Sequence, residues 1–280
     1  DLTPDLKVES PMTLLQRLQV KVQPLQLEPL LRFLPPAELQ ARSALLDCDL
    51  TLETPAAAGQ LQVKGQLGLR GLTLTHQAGR AAGGAVSKAE TVGVPTDLRL
   101  STDLSFALLT GDLTLRELSL AINDMTLRGN ADARSLWSAP RVQALALASQ
   151  GLLLEKLLAP LPPDLLPRGT TLRGPLVLSA SGSGDAARAD LQAALDLTGA
   201  TLLLPSLHKP AGTALSATFR GALLQEGGGS SLRIDKLGLV LGPLSLLASG
   251  VARSGEVDLK LDTGSVELDP LLRLLPQVQR

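Results

Sequence analysis

Aromatic side chains are nearly missing from this chain: its 280 residues include three Phe, one Trp and no Tyr. Surfaces that stack on bases or sugar rings need flat rings, so readers of nucleic acid or glycan by stacking are excluded. The single cysteine, Cys48, rules out an intrachain disulfide framework. A formal net charge of −1 leaves no basic footprint for nucleic acid. No run of about 18 apolar residues occurs, so no segment reads as a membrane-crossing helix. "GLLLEKLLAPLPPDLLP" at 151–167 comes nearest and is broken by four prolines and three charges.

Catalytic signatures are missing as well. His76 and His208 are the only histidines. Each falls in an expected turn with no Cys, Asp or Glu at a ligand spacing, which reads as a surface histidine rather than a metal site. No G-x-S-x-G elbow occurs, and "GSG" at 182–184 sits in a small-residue stretch with no helix after it. "EGGGSS" at 226–231 lacks the Lys-Ser/Thr of a phosphate loop and reads as a hairpin tip. Acids such as Glu53 and Asp258 alternate with bases as a wet strand face would. The expectation is no enzyme, no cofactor and no metal, with Trp137 and Cys48 as buried packing residues.

What the chain does have is leucine, placed with a period of two, the signal of a half-buried strand. Leu61, Val63, Leu67 and Leu69 alternate with Gln, Lys and Gly. Leu98 and Leu100, then Leu104 and Phe106, alternate with Arg, Thr and Ser. Leu113 and Leu115 follow, then Leu118, Leu120 and Ile122. Later runs are Leu191, Ala193, Leu195 and Leu197, then Leu232, Ile234, Leu237, Leu239 and Leu241. Val257, Leu259 and Leu261 close the series. Turn signals separate the runs: Thr110-Gly111-Asp112, Asn123-Asp124, Gly227-Gly228-Gly229, Gly242-Pro243 and Ser254-Gly255. The pattern predicts a mainly β, largely antiparallel sheet with one wet and one dry face. The polar, small stretches 76–93 and 179–190 read as loops, the first a candidate for disorder.

Leucine is a poorer strand former than Val, Ile or Tyr, yet it fills the dry face. A curved, open U-shaped sheet with an aliphatic groove would use it so, and a closed β-sandwich in a leucine-rich composition would too. Pattern alone leaves both open.

One short motif recurs. "LQLEPLLRFLPP" (25–36), "GLLLEKLLAPLPP" (151–163) and "VELDPLLRLLP" (266–276) each run from an acid through Leu-Leu to a proline seven positions on. An acid at the N-cap and a proline that ends the turn predict three short helices, near Glu28, Glu155 and Asp269. Leu30, Leu31, Leu157, Leu158, Leu271, Leu274 and Leu275 would plug the dry face. "LRELSLAINDMTLRGNAD" (115–132) also resembles "RIDKLGLVLGPLSLLASGVA" (233–252), and "QLQVKGQLGLRGLTL" (60–74) resembles "DLQAALDLTGATLLL" (190–204). The reading is a repeat: the end of one unit over 1–27, unit 1 over 28–154, unit 2 over 155–268 and the start of a third over 269–280.

These segments, with "LEKLLAPLP" (154–162), the "KPAGT" turn (209–213) and the "SGVARSG" return (249–255), resemble the AsmA-like proteins of Gram-negative bacteria, most of the match lying in 95–280. The resemblance implies a periplasmic body attached to the inner membrane through a segment not seen here. It implies a greasy groove carrying phospholipid acyl chains between membranes for outer-membrane biogenesis. The groove residues would be the site list above: Leu61, Val63, Leu67, Leu98, Leu100, Leu104, Phe106, Leu118, Leu120, Ile122, Leu191, Leu195, Leu197, Leu232, Ile234, Leu237, Leu239, Leu241, Val257, Leu259 and Leu261. Two other readings stand beside it: an accessory subunit of a type II secretion apparatus, similar to its N component, and a structural β-protein or adhesin. The chain is expected to continue in both directions, and its edge strands to self-associate.

Overall fold

The computed structural model describes residues 17–31, 39–54, 59–77, 90–226, 229–253, 255–264, 272 and 274. Its strands are β1 (Arg17–Gln26), β2 (Leu39–Glu53), β3 (Gln60–Gln77), β4 (Glu90–Val92), β5 (Thr96–Ala107), β6 (Asp112–Ile122), β7 (Met125–Arg134), β8 (Arg141–Gln150) and β9 (Leu152–Leu153), followed by β10 (Thr171–Arg173), β11 (Pro175–Asp185), β12 (Arg188–Asp196), β13 (Thr201–Leu204), β14 (Leu207–Lys209), β15 (Leu215–Glu226), β16 (Gly229–Leu241), β17 (Leu244–Arg253) and β18 (Glu256–Thr263). Two short helices, α1 (Glu28–Leu31) and α2 (Leu154–Leu158), interrupt them. Thirteen strands form one open, curved antiparallel sheet in nearly sequential order: β1, β2, β3, β5, β6, β7, β8, β11, β12, β15, β16, β17, β18. β4 adds to β3 and β9 to β11, while β10, β13 and β14 make a separate small sheet. The closed sandwich is thereby excluded. At about 4.8 Å per strand the sheet is roughly 60 Å wide.

Directly paired residues point to the same side of a sheet, so the pairings fix the two faces. One row crosses all thirteen strands: Leu18, Leu52, Val63, Leu104, Leu115, Ala131, Leu145, Gly182, Leu191, Gly221, Ile234, Gly250 and Leu259. It holds no polar side chain. A row on the other face runs Thr51, Lys64, Asp103, Glu117.

Keeping the leucines in phase takes a bulge in each half. Leu115 and Leu118 are three apart, and so are Ile234 and Leu237, a spacing that would turn the second member of each pair to the wet face. In β6 the register slips so that Leu115 pairs with Leu104 while Glu117 pairs with Asp103, which leaves Arg116 as the extra residue. In β16 Ile234 pairs with Gly221 and Lys236 with Arg220, leaving Asp235 extra. A bulge shifts the pleat by one residue, and the apolar run continues on the same face. Both bulged strands end in a two-residue turn opened by a left-handed residue, Asn123 at φ 53° and Gly242 at φ 55°.

Three loop and turn expectations need correction. Residues 179–190 are the facing ends of β11 and β12, not a loop. Ser and Gly read as loop formers, but here Ala180, Gly182 and Gly184 pair with Ala193, Leu191 and Ala189. Gly184 sits at φ 149°, where a Cβ would fall on the Arg188 carbonyl oxygen. Only a small residue lets the two strands close there. Within 76–93, His76 and Gln77 end β3 and Glu90–Val92 form β4, which pairs with it. Residues 78–89 lie outside the described set. His208 lies in β14 rather than in a turn.

Candidate functional site: the aliphatic face

Twenty of the 21 groove residues expected from sequence fall on the face crossed by the apolar row. Leu61 pairs with Phe106, Leu67 with Leu100, Leu98 with Ile122 and Leu100 with Leu120. Leu195 and Leu239 both pair with Ala217, Leu237 pairs with Phe219, Leu232 with Leu223, and Leu241 with Leu215. Leu261 pairs with Ala248 and Val257 with Ala252. Leu197 lies just past β12, its N–H donating to the Leu215 carbonyl at 2.8 Å. The site list missed Leu18, Val20, Leu50 and Leu52 of β1 and β2, and Leu145 and Leu147 of β8, which share the face. Their own alternation was the signal.

Little covers this face. Leu239 keeps 39% of its surface exposed and Leu261 60%. Among the described residues, the buried apolar ones are small or sit near the sheet's ends: Ala44, Cys48, Met125, Ala133, Leu152, Ala200, Leu202, Ala222, Ala248 and Leu274. Among the described residues, an aliphatic sheet face with half-exposed leucines and no second layer is the main chemical feature.

Two different structures finish the sheet at one rim. After β8 the chain turns through β9 and α2 and runs along the ends of β3–β7. The Leu153 N–H points at Met125 Sδ, 3.2 Å away, and Val94 N donates to the Ala159 carbonyl at 2.8 Å. Lys156 pairs with Asp124, and His76 Nδ1 meets Asp164 Oδ2 at 2.6 Å while Thr91 donates to the other Asp164 oxygen. His76 is therefore a part-buried tether, not a surface histidine. The Asp124 and Asp164 carboxyls are held below their usual range, Asp124 chiefly by Lys156 and Asp164 chiefly by Thr91 and then His76.

Glu155 departs from the N-cap expectation. Leu153 is the N-cap of α2 and makes no side-chain cap. Glu155 Oε2 instead accepts from Gly174 N at 2.7 Å, which lowers its pKa and ties the helix to the start of β11. Nor does α2 act as a plug: none of its residues is buried, and Leu157 and Leu158 are half-covered. The buried side chains here are Leu152 before the helix and Pro162 after it. For α1, nothing is described of the Leu30 and Leu31 side chains. Leu271 and Leu275 lie outside the described residues, whereas Leu274 is buried, its carbonyl accepting from His208 N at 2.7 Å.

The second closure is the small sheet β10-β13-β14, centred on Lys209. This lysine is wholly buried, and its Nζ donates to the carbonyls of Ala200 (2.6 Å), Thr198 (3.2 Å) and Pro210 (3.3 Å). Burial pushes its pKa below the usual lysine value, opposed by nearby Asp196. Nothing in the "KPAGT" turn distinguished this lysine from a surface one.

The polar face carries ion pairs such as Arg70–Asp47 at 2.9 Å and Lys64–Asp103 at 3.3 Å. A cleft of about 520 Å³ opens over Ala146, Ala148, Ser179, Ser181 and Ala194, with Arg220 and Lys236 at one end. Among the described residues, no three His, Cys, Asp or Glu side chains converge as metal ligands, and no helix is long and apolar enough to cross a membrane. No protein-family model, curated protein or solved structure matches this chain.

Proposed function

We propose that this chain is a non-enzymatic lipid-binding segment that shelters phospholipid acyl chains along its leucine face. The observation that carries the reading is the apolar row crossing all thirteen strands, with no second layer upon it among the described residues. Flexible aliphatic side chains suit acyl chains, which ask for area and conformational tolerance rather than for directional hydrogen bonds. The sequential antiparallel order makes the row continuous, so a bound chain can move across the sheet without meeting a polar side chain. In this reading the sheet is part of an AsmA-like periplasmic conduit, attached to the inner membrane by another segment, that passes phospholipid toward the outer membrane. The type II secretion and adhesin readings have no comparable feature in their favour.

The test is lipid retention. After incubation with phospholipid vesicles and re-purification, organic extraction and mass spectrometry of the wild type should return phospholipid. Leu195→Asp with Leu239→Asp places two carboxylates on either side of Ala217 on the leucine face. On a half-open face the charges stay partly hydrated, so the variant should keep its β-sheet circular dichroism while lipid retention is lost. In a dry core each charge would instead cost several kcal/mol, about the whole stability of a domain. A wild type that returns no lipid overturns the proposal, and so does a folded double variant that retains as much as the wild type.

A further inference from the structure

The only tryptophan of the chain, expected in the core, is 66% exposed. Trp137 lies in the turn between β7 and β8, beside the turn between β5 and β6, where Leu109 is 87% exposed. These turns are held in place by several constraints. Trp137 Nε1 donates to the Leu108 carbonyl at 3.0 Å, and its ring meets Phe106 edge-on, centroids 5.4 Å apart at 85°. Leu136 N donates to the Gly111 carbonyl at 3.1 Å, and Gly111 is left-handed at φ 71°, where a Cβ would press on the indole. Ser135 takes φ 52°, unusual for a side-chain-bearing residue, and its N–H is held by Asp112 Oδ1 at 2.9 Å. Backbone strain of this kind persists only where surrounding contacts enforce it. Here the contacts fix a large ring and a leucine outward.

We propose that this rim seats on a phospholipid bilayer, with Leu109 and the Trp137 ring entering the headgroup region. The indole N–H already has an acceptor inside the protein, so moving the ring out of water strands no donor. Tryptophan at a boundary between water and lipid places its apolar body and polar edge in matching surroundings. The nearby Arg134 is shared by Asp112 and Asp132, which leaves this group one negative charge in excess, so the rim suits a zwitterionic surface rather than an anionic one. The seat is separate from the leucine face and does not depend on what that face binds.

Because Trp137 is the only tryptophan, its fluorescence reports this rim alone. Phosphatidylcholine vesicles should shift its emission to the blue, and vesicles with brominated acyl chains should quench it. Leu109→Asp should weaken co-sedimentation with vesicles about tenfold, the loss expected when one leucine no longer leaves water. Its circular dichroism and melting point should be unchanged, since the side chain touches little in the protein. The Leu195→Asp/Leu239→Asp variant should sediment like the wild type, which separates this seat from acyl-chain retention. No emission change with vesicles, or Leu109→Asp binding as tightly as the wild type, overturns the proposal. Equal quenching in Leu109→Asp, which would mean that lipid reaches the ring through Phe106 from the leucine face, overturns it too.

Discussion

The two halves of the sheet are built alike along their strands and differently at their ends. From β2 to β8 and again from β11 to β18, six strands of the main path carry leucines on one face. Each half places a bulge, at Arg116 or Asp235, the same seven residues before its left-handed turn residue, Asn123 or Gly242. The rim is where they part. The first half is finished by β4, α2 and a set of half-exposed carboxylates: Asp124, Glu155 and Asp164. The second is finished by a small sheet wrapped around one buried ammonium, Lys209. Strand phasing is a repeating problem with one solution, whereas capping the open ends of strands needs only that the backbone groups there find partners. Unlike chemistry meets that need equally well.

If the closures differ in this way, Lys209→Met should be the most damaging change in either of them. It takes the ammonium from the Ala200 carbonyl and removes a second donor from the carbonyls of Thr198 and Pro210, which keep Gly212 N and Thr213 N, for a loss of about 3 kcal/mol in urea unfolding. Asp164→Asn, which breaks the partly exposed pair with His76, should cost clearly less. Equal losses would erase the distinction between the two closures.

Next in size is a pair of glycines. At Gly65 a Cβ would fall on the Asp49 carbonyl of β2, and at Gly250 on the Asp258 carbonyl of β18. β2 is held between β1 and β3, while β18 pairs on one side only among the described residues. Gly65→Ala should therefore cost roughly 3 kcal/mol and Gly250→Ala roughly 1, because the outer strand can yield. Thermal melts of the two variants compare them directly, and a reversed order would mean that β18 is braced by something further.

The equivalent turns give a smaller contrast. Asn123 already tolerates its left-handed backbone, helped by Asp97 N donating to its Oδ1 at 2.9 Å. Gly242→Ala should destabilise by about 1 kcal/mol, whereas Asn123→Gly should change stability by only a few tenths. The same melts decide this pair, and a large loss for Asn123→Gly would show that its side chain matters more than its backbone.

The subtlest test is pH. Asp124, Glu155 and Asp164 have folded pKa values below their ordinary 3.8, 4.5 and 3.8. A carboxylate of this kind stabilises fully above its ordinary value, and the contribution fades as pH falls through the lower folded one. Lys209 has the same sign in a different window: its folded pKa is also depressed, so the stability linked to it rises with pH too, but only on the approach to 10.5. Hydrogen exchange below about pH 4 should thus loosen 152–166 before 201–209. Simultaneous loosening would mean that the acidic tethers do not hold the first closure.

The sheet was legible because the alternation of leucines is a direct record of which face each residue takes. Even the bulges were written there: a spacing of three inside a period of two, at Leu115–Leu118 and Ile234–Leu237, can hold one face only by inserting a residue. Misreadings came where composition outweighed spacing. "SASGSGDAARAD" was read as a loop from its small residues, although Ala180, Gly182 and Gly184 keep strict alternation. Trp137 was assigned to the core by size, yet its surroundings were set by two turns distant in sequence.

The sequence by itself determined most of the strands, their dry face and two of the places where the register slips, since these follow from local spacing and the two-residue pleat. Only the tertiary structure decided that the face stays open, that His76 meets Asp164 across 88 residues, and that Lys209 is buried among carbonyls. Those outcomes depend on which strand ends come together in space. Alternation along a strand carries no information about what, if anything, lies above it.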